Sequence, residues 1–136
     1  MNNKSFSWPV RIYYENTDAG GLVYHAEYLK FFERGRSEWL RHLGFEHTQL
    51  KAEHGIIFVV RDLHIKYLQP ARFDELLQVV TSTAEVGRSR IVFEQKLQRG
   101  DEFLTTATVE VVCVDAETFK PTAISPAMKQ RFLEIK

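Results

Sequence analysis

Cysteine is almost absent from this sequence, which has a single one, Cys113, among 136 residues. One cysteine cannot close an intramolecular disulfide, so the chain is not a secreted scaffold held together by disulfides. Cys113 lies in an apolar run with strand character, Val111 to Val114. We therefore expect it to be a buried, unreactive thiol.

A surplus of either charge is also missing, because 18 Lys and Arg residues balance 18 Asp and Glu residues. Without a basic surplus, neither nucleic acid nor an anionic membrane is expected as the principal partner. An anionic ligand would have to be met by a local patch of cations or N–H donors.

Long apolar runs are missing too. The longest, Ile56 to Val60, is far short of the roughly 20 residues that a transmembrane helix needs. The polar start, Met1 to Ser5, is followed by no apolar signal-peptide core. No repeat or Gly/Pro/Ser-rich linker divides the chain. We expect a cytoplasmic protein without a transmembrane segment, folded as a single domain over residues 1–136.

Aromatic residues are plentiful, at 12% of the chain, and several recur at helical spacing from about His25 onward. Gly44 predicts the end of this helix. Gly35 within its apolar face costs about 1 kcal/mol relative to alanine, which indicates either close packing of another backbone or no special contact at all. The predicted apolar face consists of Tyr28, Phe31, Phe32, Gly35, Trp39 and Leu43.

Most of the remaining sequence has the alternating or β-branched pattern of strands. Thr48 to His54, closed by Gly55, and Met128 to Ile135, after Pro126, are predicted as short helices instead. The predicted strands are Trp8 to Tyr14, Ile56 to Arg61, Leu63 to Tyr67, Leu76 to Glu85, Ile91 to Arg99 and Phe103 to Asp115, with turns at Gly87 and Gly100.

One long aromatic helix followed by several antiparallel strands has a physical solution in which the sheet curls around the helix and buries its aromatic face. The pattern therefore predicts an α+β hotdog fold, a curved antiparallel β-sheet wrapped around one long central helix. A β-sandwich does not account for the helix, and a doubly wound fold needs a βαβ alternation that the sequence lacks.

The segment between the first strand and the long helix has the residue types of a catalytic site. Gly20 and Gly21 permit positive φ and a close approach of a ligand to the backbone. The helix that follows presents unpaired N–H groups and the positive end of its dipole, which can polarise a substrate carbonyl. Asp18 would then stand on the other side of the carbonyl carbon, as nucleophile or as the base that activates water.

The spacing alone is equally consistent with purely structural roles for the same residues. Asp18 can cap the turn or the helix through its carboxylate, which aspartate commonly does before a helix. His25 can be a partly buried histidine satisfied by a neighbouring carboxylate or carbonyl. Tyr14 can be an ordinary aromatic residue of a strand.

The run from Tyr14 to Tyr28, with Phe32 to Arg36 after it, resembles the signature of YbgC-type acyl-CoA thioesterases of the Tol-Pal gene neighbourhood, within the 4-hydroxybenzoyl-CoA thioesterase group of hotdog proteins. The resemblance continues through Tyr67 to Arg72 and Val111 to Asp115 as far as Lys120-Pro121, so it covers nearly the whole chain. The core spacing Asp-x-x-Gly-x-x-x-His-x-x-Tyr is matched by Asp18, Gly21, His25 and Tyr28.

This resemblance implies hydrolysis of an acyl-CoA, or of an acyl group on acyl carrier protein, to the free acid and the thiol, without a cofactor. It implies that Asp18 is the catalytic carboxylate and that the backbone N–H of His25 polarises the thioester carbonyl. The side chains of His25 and Tyr14 would assist. Many relatives carry aspartate where this chain has Asn16, so Asp18 has one negative neighbour fewer, and we expect activity to survive the change.

Glu33 is a second candidate carboxylate, since another hotdog lineage uses a helix glutamate as its catalytic group. The competing interpretation is a surface ion pair of Glu33 with Arg34, Arg36 or another basic residue. His25 and Glu27 match none of the usual zinc spacings, so we predict no metal.

The nucleotide phosphates of CoA need cationic or N–H donors near the mouth of a binding tunnel. Arg88, Ser89 and Arg90, which follow the predicted turn at Gly87, form a local patch suited to that role. A solvated turn explains the same residues equally well, because exposed arginines at turns need no ligand.

Two other functions stay open at this point. A hydratase or dehydratase of the same fold moves a proton at the α or β carbon, whereas the Asp-x-x-Gly turn points at a carbonyl. A non-catalytic module linked to phospholipid metabolism, binding acyl groups or acyl carrier protein, would be indifferent to Asp18.

Hotdog domains usually pair their sheets edge to edge and build the ligand tunnel between subunits, so the resemblance implies a homo-oligomer, either a dimer or a homotetramer of two dimers.

Overall fold

The computed structural model of the chain describes residues 5–134, and within them five antiparallel strands form one sheet. The order across this sheet is β1-β3-β4-β5-β2, so β1 and β2 are its two edges. The strands are β1 (Ser5–Arg11), β2 (Ile56–Tyr67), β3 (Leu76–Val86), β4 (Arg90–Arg99) and β5 (Glu102–Asp115).

The long helix, α1, spans Glu27–His42. A short helix α2 (His47–Gln49) continues into a π-helical turn, Leu50–His54, and α3 (Pro126–Leu133) follows the last strand. Ile135, which was predicted as the end of the last helix, lies outside the described residues. None of the helices within 5–134 has the length and apolar character that crossing a bilayer requires.

Helix α1 packs on one face of the sheet, against β1, β3 and β4. The ring of Trp39 meets Phe93 of β4 edge-on, with centroids 5.0 Å apart, and lies 5.1 Å from Phe132 of α3. Because the aromatic face of the helix is buried against a curved antiparallel sheet, the predicted α+β hotdog fold is confirmed. The predicted face is buried throughout, at Tyr28, Phe31, Phe32, Gly35, Trp39 and Leu43.

Strand boundaries differ from the sequence prediction mainly in β1 and β2, and β1 already begins at Ser5, before the predicted start at Trp8. β1 ends at Arg11, which pairs with the first residue of β3, and Tyr14 begins a 3-10 turn instead of extending the strand. The two runs predicted as separate, up to Arg61 and from Leu63 onward, form the single strand β2. An irregularity between Val60 and Asp62 shifts its register against β5 and accounts for the interrupted alternation.

Gly35 lies where α1 and the sheet come closest. A Cβ there would stand 2.6 Å from Cγ1 of Val79, 2.9 Å from Oγ1 of Thr81 and 3.1 Å from Nε2 of Gln95. The Gln95 amide uses this space to donate to the carbonyl of Phe32 and to Thr81 Oγ1, both at 2.9 Å. Close packing therefore explains the glycine, and the close neighbours are side chains of the sheet instead of another backbone.

Cys113 is completely buried within β5. Burial raises the pKa of its thiol to about 11, because the thiolate is poorly solvated in apolar surroundings. The predicted burial of this cysteine is confirmed.

Replacing Gly35 by alanine tests the close contact between helix and sheet. Helix propensity alone would stabilise the protein by about 1 kcal/mol, but the added methyl group collides with Val79 and displaces the Gln95 amide. We expect a net loss of roughly 1 to 3 kcal/mol in the free energy of unfolding, measured by urea denaturation. Arg34→Ala, at an exposed position of the same helix, should change it by less than about 0.5 kcal/mol. Equal stability of native protein and Gly35→Ala would contradict this account.

Candidate active site

A tight turn connects the end of β1 to α1. The N–H of Asp18 donates to the carbonyl of Leu22 at 2.9 Å, and the N–H of Gly21 donates back to the carbonyl of Asp18 at 3.1 Å. Gly21 has φ +79°, a conformation that residues with a Cβ rarely adopt. Gly20 does not have positive φ, so the turn requires the second of the two glycines only.

The carboxylate of Asp18 is exposed and only partly engaged. Its Oδ1 accepts the N–H of Gly20 at 2.9 Å, which is the hydrogen bond of an Asx turn. Within residues 5–134, no hydrogen bond reaches its Oδ2. Asp18 therefore does form the turn, as the sequence left open, but this role occupies only its Oδ1. Asp18 does not cap the helix, because α1 begins only at Glu27.

The segment after β2 anchors the turn from one side. Ala71 accepts the N–H of Val23 at 2.9 Å, and the N–H of Phe73 donates to the carbonyl of Gly21 at 3.0 Å. Ala71 also donates its own N–H to Oη of Tyr28, a buried residue of α1, at 3.1 Å. The same short segment thus connects the Asp18 turn to the first turn of the helix.

The start of α1 is not capped by any side chain of residues 5–134, and Ala26 is its N-cap residue. The carbonyl of His25 accepts Oη of Tyr67 at 2.9 Å, whereas its N–H donates no hydrogen bond within the described part of the chain. Tyr67 therefore fixes the peptide group between His25 and Ala26. The N–H of His25 belongs to the preceding peptide group, whose carbonyl, that of Tyr24, accepts the N–H of Glu27 at 2.9 Å.

Asp18 and His25 line one open cleft of about 440 Å³. The helix dipole places partial positive charge at the start of α1, next to His25. A carboxylate and a backbone N–H that donates no hydrogen bond within residues 5–134 therefore line one cleft, and these are the kinds of group that acyl transfer to water requires. The remaining lining consists of Leu22, Val23, Tyr24, Tyr28, Tyr67, Leu68, Gln69 and Pro70.

The side chains of His25 and Tyr14, which were proposed to assist catalysis, line different depressions. The His25 ring is exposed and lies 4.4 Å from the ring of Tyr24, and no carboxylate or carbonyl within residues 5–134 satisfies it. Tyr14 is 76% exposed and stacks on Phe73 at 4.2 Å. Tyr14 lines a neighbouring depression, and the cleft that Asp18 shares with His25 does not include it. The assisting roles of both side chains stay predictions.

Arg88, Ser89 and Arg90 lie at the far end of the sheet from the cleft. Arg90 is in register with Val112, and Val112 with Val59 near the start of β2, whereas the cleft borders the end of that strand. Arg90 is engaged by Glu85 at 2.8 Å and Glu110 at 3.1 Å. The carbonyls of Arg88 and Ser89 accept the N–H groups of Ile124 and Cys113. In one chain, this patch and Asp18 are not brought together.

The other carboxylate candidate, Glu33, accepts a hydrogen bond from Oγ of Ser37 at 2.7 Å. The expected ion pair with Arg34 or Arg36 is absent from the described residues, and Arg36 instead donates to Oε1 of Gln95 at 3.0 Å. Burial lowers the pKa of Arg36. No group of three or more His, Cys, Asp or Glu side chains suited to a metal occurs in residues 5–134.

Sequence reasoning missed two residues that shape the site. Tyr67 is 42 positions from His25, and no local sequence pattern predicts the hydrogen bond between them. Asn16 was treated only as a missing charge near Asp18. Its buried side chain instead accepts the N–H of Tyr13 at 2.7 Å and donates to Glu27 at 2.9 Å.

Comparison with known proteins identifies relatives over the whole length of the chain. The model of the thioesterase-like superfamily matches residues 12–132. The acyl-CoA thioesterase YbgC of Haemophilus influenzae is 48% identical over 136 residues, which is 100% of both chains. The acyl-CoA thioester hydrolase YbgC of Escherichia coli O6:H1 is 44% identical, over 97% of this chain and 98% of its own.

Solved structures agree with these relatives. A probable thioesterase from Bartonella henselae superposes with a TM-score of 0.85 at 40% identity, over 89% of this chain and 99% of its own. A DHNA-CoA thioesterase from Staphylococcus aureus gives a TM-score of 0.89 at 27% identity, over 96% of this chain and 90% of its own.

The two glycines of the turn provide a matched pair of substitutions. Gly21→Ala forces a Cβ onto a residue with φ +79°, which costs roughly 1 to 2 kcal/mol. Gly20→Ala meets only an ordinary contact of 3.5 Å with Oδ1 of Asp18 and should be tolerated. We expect lower thermal stability and distorted Asp18 geometry in the first variant only, measured by thermal unfolding and by catalytic rate. An equal effect of both substitutions would show that positive φ is not what the turn requires.

Proposed function

The chain belongs to the thioesterase-like superfamily and, within it, to the YbgC acyl-CoA thioesterases, and we propose that it hydrolyses the thioester of an acyl-CoA at the Asp18 cleft. One observation carries this assignment of the site. The exposed carboxylate of Asp18 lines the same cleft as the N–H of His25, which donates no hydrogen bond within residues 5–134. Such a pair fits a carbonyl that gains negative charge on oxygen while a nucleophile approaches its carbon.

The N–H of His25 is the oxyanion donor in this proposal. As the carbonyl becomes tetrahedral, its oxygen gains charge and its hydrogen bond to the N–H strengthens. Hydrogen bonds restrain the peptide groups on both sides of His25: the N–H of Glu27 donates to the carbonyl of Tyr24, in the peptide that carries the donor, and Tyr67 donates to the carbonyl of His25, in the next one. Removing one oxyanion donor typically costs on the order of 100-fold in rate.

Asp18 supplies the nucleophile or the base. As base, it takes a proton from water while the water oxygen bonds to the acyl carbon, and the C–S bond then breaks to release CoA thiolate. As nucleophile, its free oxygen bonds to the acyl carbon, CoA thiolate leaves, and water hydrolyses the resulting anhydride. Both routes give the free acid and CoA. The thiolate is a good leaving group, since a thiol has a pKa of about 8.5.

The substrate in this proposal is acyl-CoA, and acyl carrier protein is a second possible donor of the same thioester. The aromatic and aliphatic side chains of Tyr28, Tyr67 and Leu68 supply an apolar wall for the acyl group.

We also assign the protein to the cytoplasm, because its one cysteine is a buried free thiol, which suits a reducing compartment.

We further propose that the active form is a dimer, or a tetramer of two dimers, joined through β2. This strand is a long edge strand with exposed apolar side chains, among them Val60 at 51% and Tyr67 at 47% exposure. Such an edge tends to pair with a second strand. A symmetric antiparallel pairing of two β2 strands would set the Tyr67 end of one subunit beside the Ile56 end of its partner.

The same pairing suggests a use for the arginine patch. The patch lies near the start of β2, through the register of Arg90 with Val112 and of Val112 with Val59. In the proposed dimer it would approach the Asp18 cleft of the partner subunit. Arg88, whose side chain is engaged by no carboxylate within residues 5–134, would then be available to the phosphates of CoA.

Replacing Asp18 by asparagine tests the proposed chemistry. The amide keeps the size of the side chain and can still accept the N–H of Gly20, but it is neither a base nor a nucleophile. We expect release of CoA from short-chain, long-chain and aromatic acyl-CoAs to fall by at least about 1,000-fold. Unfolding temperature and oligomer size serve as controls. Unchanged turnover in Asp18→Asn would exclude Asp18 catalysis, and binding without turnover in both proteins would favour a non-catalytic acyl-binding module.

Replacing Val60 by lysine tests the proposed interface. A lysine on an edge strand opposes pairing with another strand, so we expect a monomer by light scattering and at least about tenfold lower turnover. Ser5→Lys, on the opposite edge strand β1, should leave the oligomer intact. A Val60→Lys protein that stays oligomeric with native turnover would exclude β2 as the interface.

A further inference from the structure

We propose that Asn16 is a positioning residue, which holds the Asp18 turn against the first turn of helix α1 through Glu27. The inference rests on the proposed function, because it concerns how the base or nucleophile is placed relative to the oxyanion donor. Within residues 5–134, Asn16 forms no hydrogen bond with Asp18 and does not line the cleft. Its effect would reach the reaction through the geometry of the two groups that do.

The hydrogen bonds of Asn16 join three parts of the site. Its Oδ1 accepts the N–H of Tyr13 at 2.7 Å, on the strand side of the turn. Its carbonyl accepts the N–H of Tyr24 at 3.0 Å, next to His25. Its Nδ2 donates to Oε1 of Glu27 at 2.9 Å, at the first residue of α1. Asn16 is only 4% exposed, so water cannot readily replace these partners.

No second hydrogen bond in residues 5–134 connects the turn residues 12–22 directly to α1. The turn is also tied to the segment before α1 by the bridge between Thr17 and Val23 and by the N–H of Tyr24, which donates to the carbonyl of Asn16. The side-chain link from Asn16 to Glu27 adds the helix itself to these ties, so we expect it to affect the separation between Asp18 and the helix end next to the His25 donor. Small errors in such a separation matter, since a displacement of about 1 Å can cost on the order of 100-fold in rate.

The direction of the hydrogen bond requires an amide at position 16. Donation from Asn16 lowers the pKa of Glu27, and Lys30 at 2.9 Å adds to this effect. An aspartate would keep the acceptor for Tyr13 but present an oxygen to the carboxylate of Glu27. Two carboxylates about 3 Å apart repel each other unless they share a proton. Lys30 and the more distant Arg34 are the cations facing this pair, and both are exposed.

The test compares three variants of the full chain, Asn16→Asp, Glu27→Gln and the two changes combined. Asn16→Asp should lower kcat at pH 8 by about tenfold with little change in KM, because substrate contacts are untouched. The loss should shrink as the pH falls toward 5, since a shared proton then restores the link. Glu27→Gln retains the accepting oxygen and should lose less than about threefold.

The combined variant is the decisive one. In it the new glutamine donates and the new aspartate accepts, so the hydrogen bond is restored with reversed direction. We expect kcat to return to within about threefold of native and the added pH dependence to disappear. Thermal unfolding and oligomer size are recorded for each protein. Should Asn16→Asp fail to fold, Glu27→Ala takes its place, with the loss of the acceptor expected to lower kcat and leave KM unchanged.

The outcomes separate this inference from the proposed function when Asp18→Asn is assayed in parallel. Native turnover in Asp18→Asn overturns both, whatever the other variants do. An inactive Asp18→Asn together with native kcat and pH profile in Asn16→Asp, or in Glu27→Ala where that variant is used, overturns the positioning role alone. A folded double variant that stays as slow as Asn16→Asp also overturns it.

Discussion

The close packing of helix α1 on the sheet at Gly35 is the contact on which the geometry of this protein depends. A hydrogen atom at this position lets the helix approach β3 and β4 until Gln95 reaches the carbonyl of Phe32. The large rings then fit around this point, with Trp39 edge-on against Phe93. Because a close-packed interface resists sliding, the helix cannot move along the sheet without losing these contacts. The N-terminus of α1, which lies next to the proposed donor His25, is fixed in consequence.

Two elements position the candidate site: the N-terminal end of α1 and the segment that follows β2. Tyr28 accepts the N–H of Ala71, and Tyr67 donates to the carbonyl of His25, so the strand ends and the helix end are joined directly. The turn that carries Asp18 is fastened to the same segment through Val23 and Gly21. An exposed loop residue thereby acquires a defined position, which is how rigid scaffolds commonly present reactive groups.

One chain leaves this site open on the side of β2. Helix α1 covers the β1, β3 and β4 part of the sheet, and β2 carries exposed Val59, Val60 and Leu63 at the uncovered edge. The proposed second copy would cover that edge and bring the arginine patch toward a cleft that it cannot reach within its own chain. In our proposals, placement of Asp18 through Asn16 and completion of the cleft by a partner are separate requirements for the same reaction.

Local patterns in the sequence predict much of this protein. The steps of three and four residues from Tyr28 to Leu43 determined the helix and its buried face, because helical periodicity is a local property. Most strands followed from alternation. The motif from Asp18 to Tyr28 proposed Asp18 and the backbone of His25 as site groups, and both residues line one cleft, while their catalytic roles stay predictions. The fold class was predictable because an aromatic helix must be covered by the strands that follow it.

Contacts between distant parts of the chain decided the rest. The order β1-β3-β4-β5-β2, and with it the exposed edge, depends on which strands meet in space. Pairing with the first residue of β3 ends β1 at Arg11 and leaves Tyr14 in a 3-10 turn. The contact of Gln95 with Gly35 and the hydrogen bond of Tyr67 to His25 likewise join residues that are far apart in the sequence. The periodicity of a sequence reports which face of an element is buried, whereas hydrogen bonds between remote residues exist only once the fold has brought their donors and acceptors together.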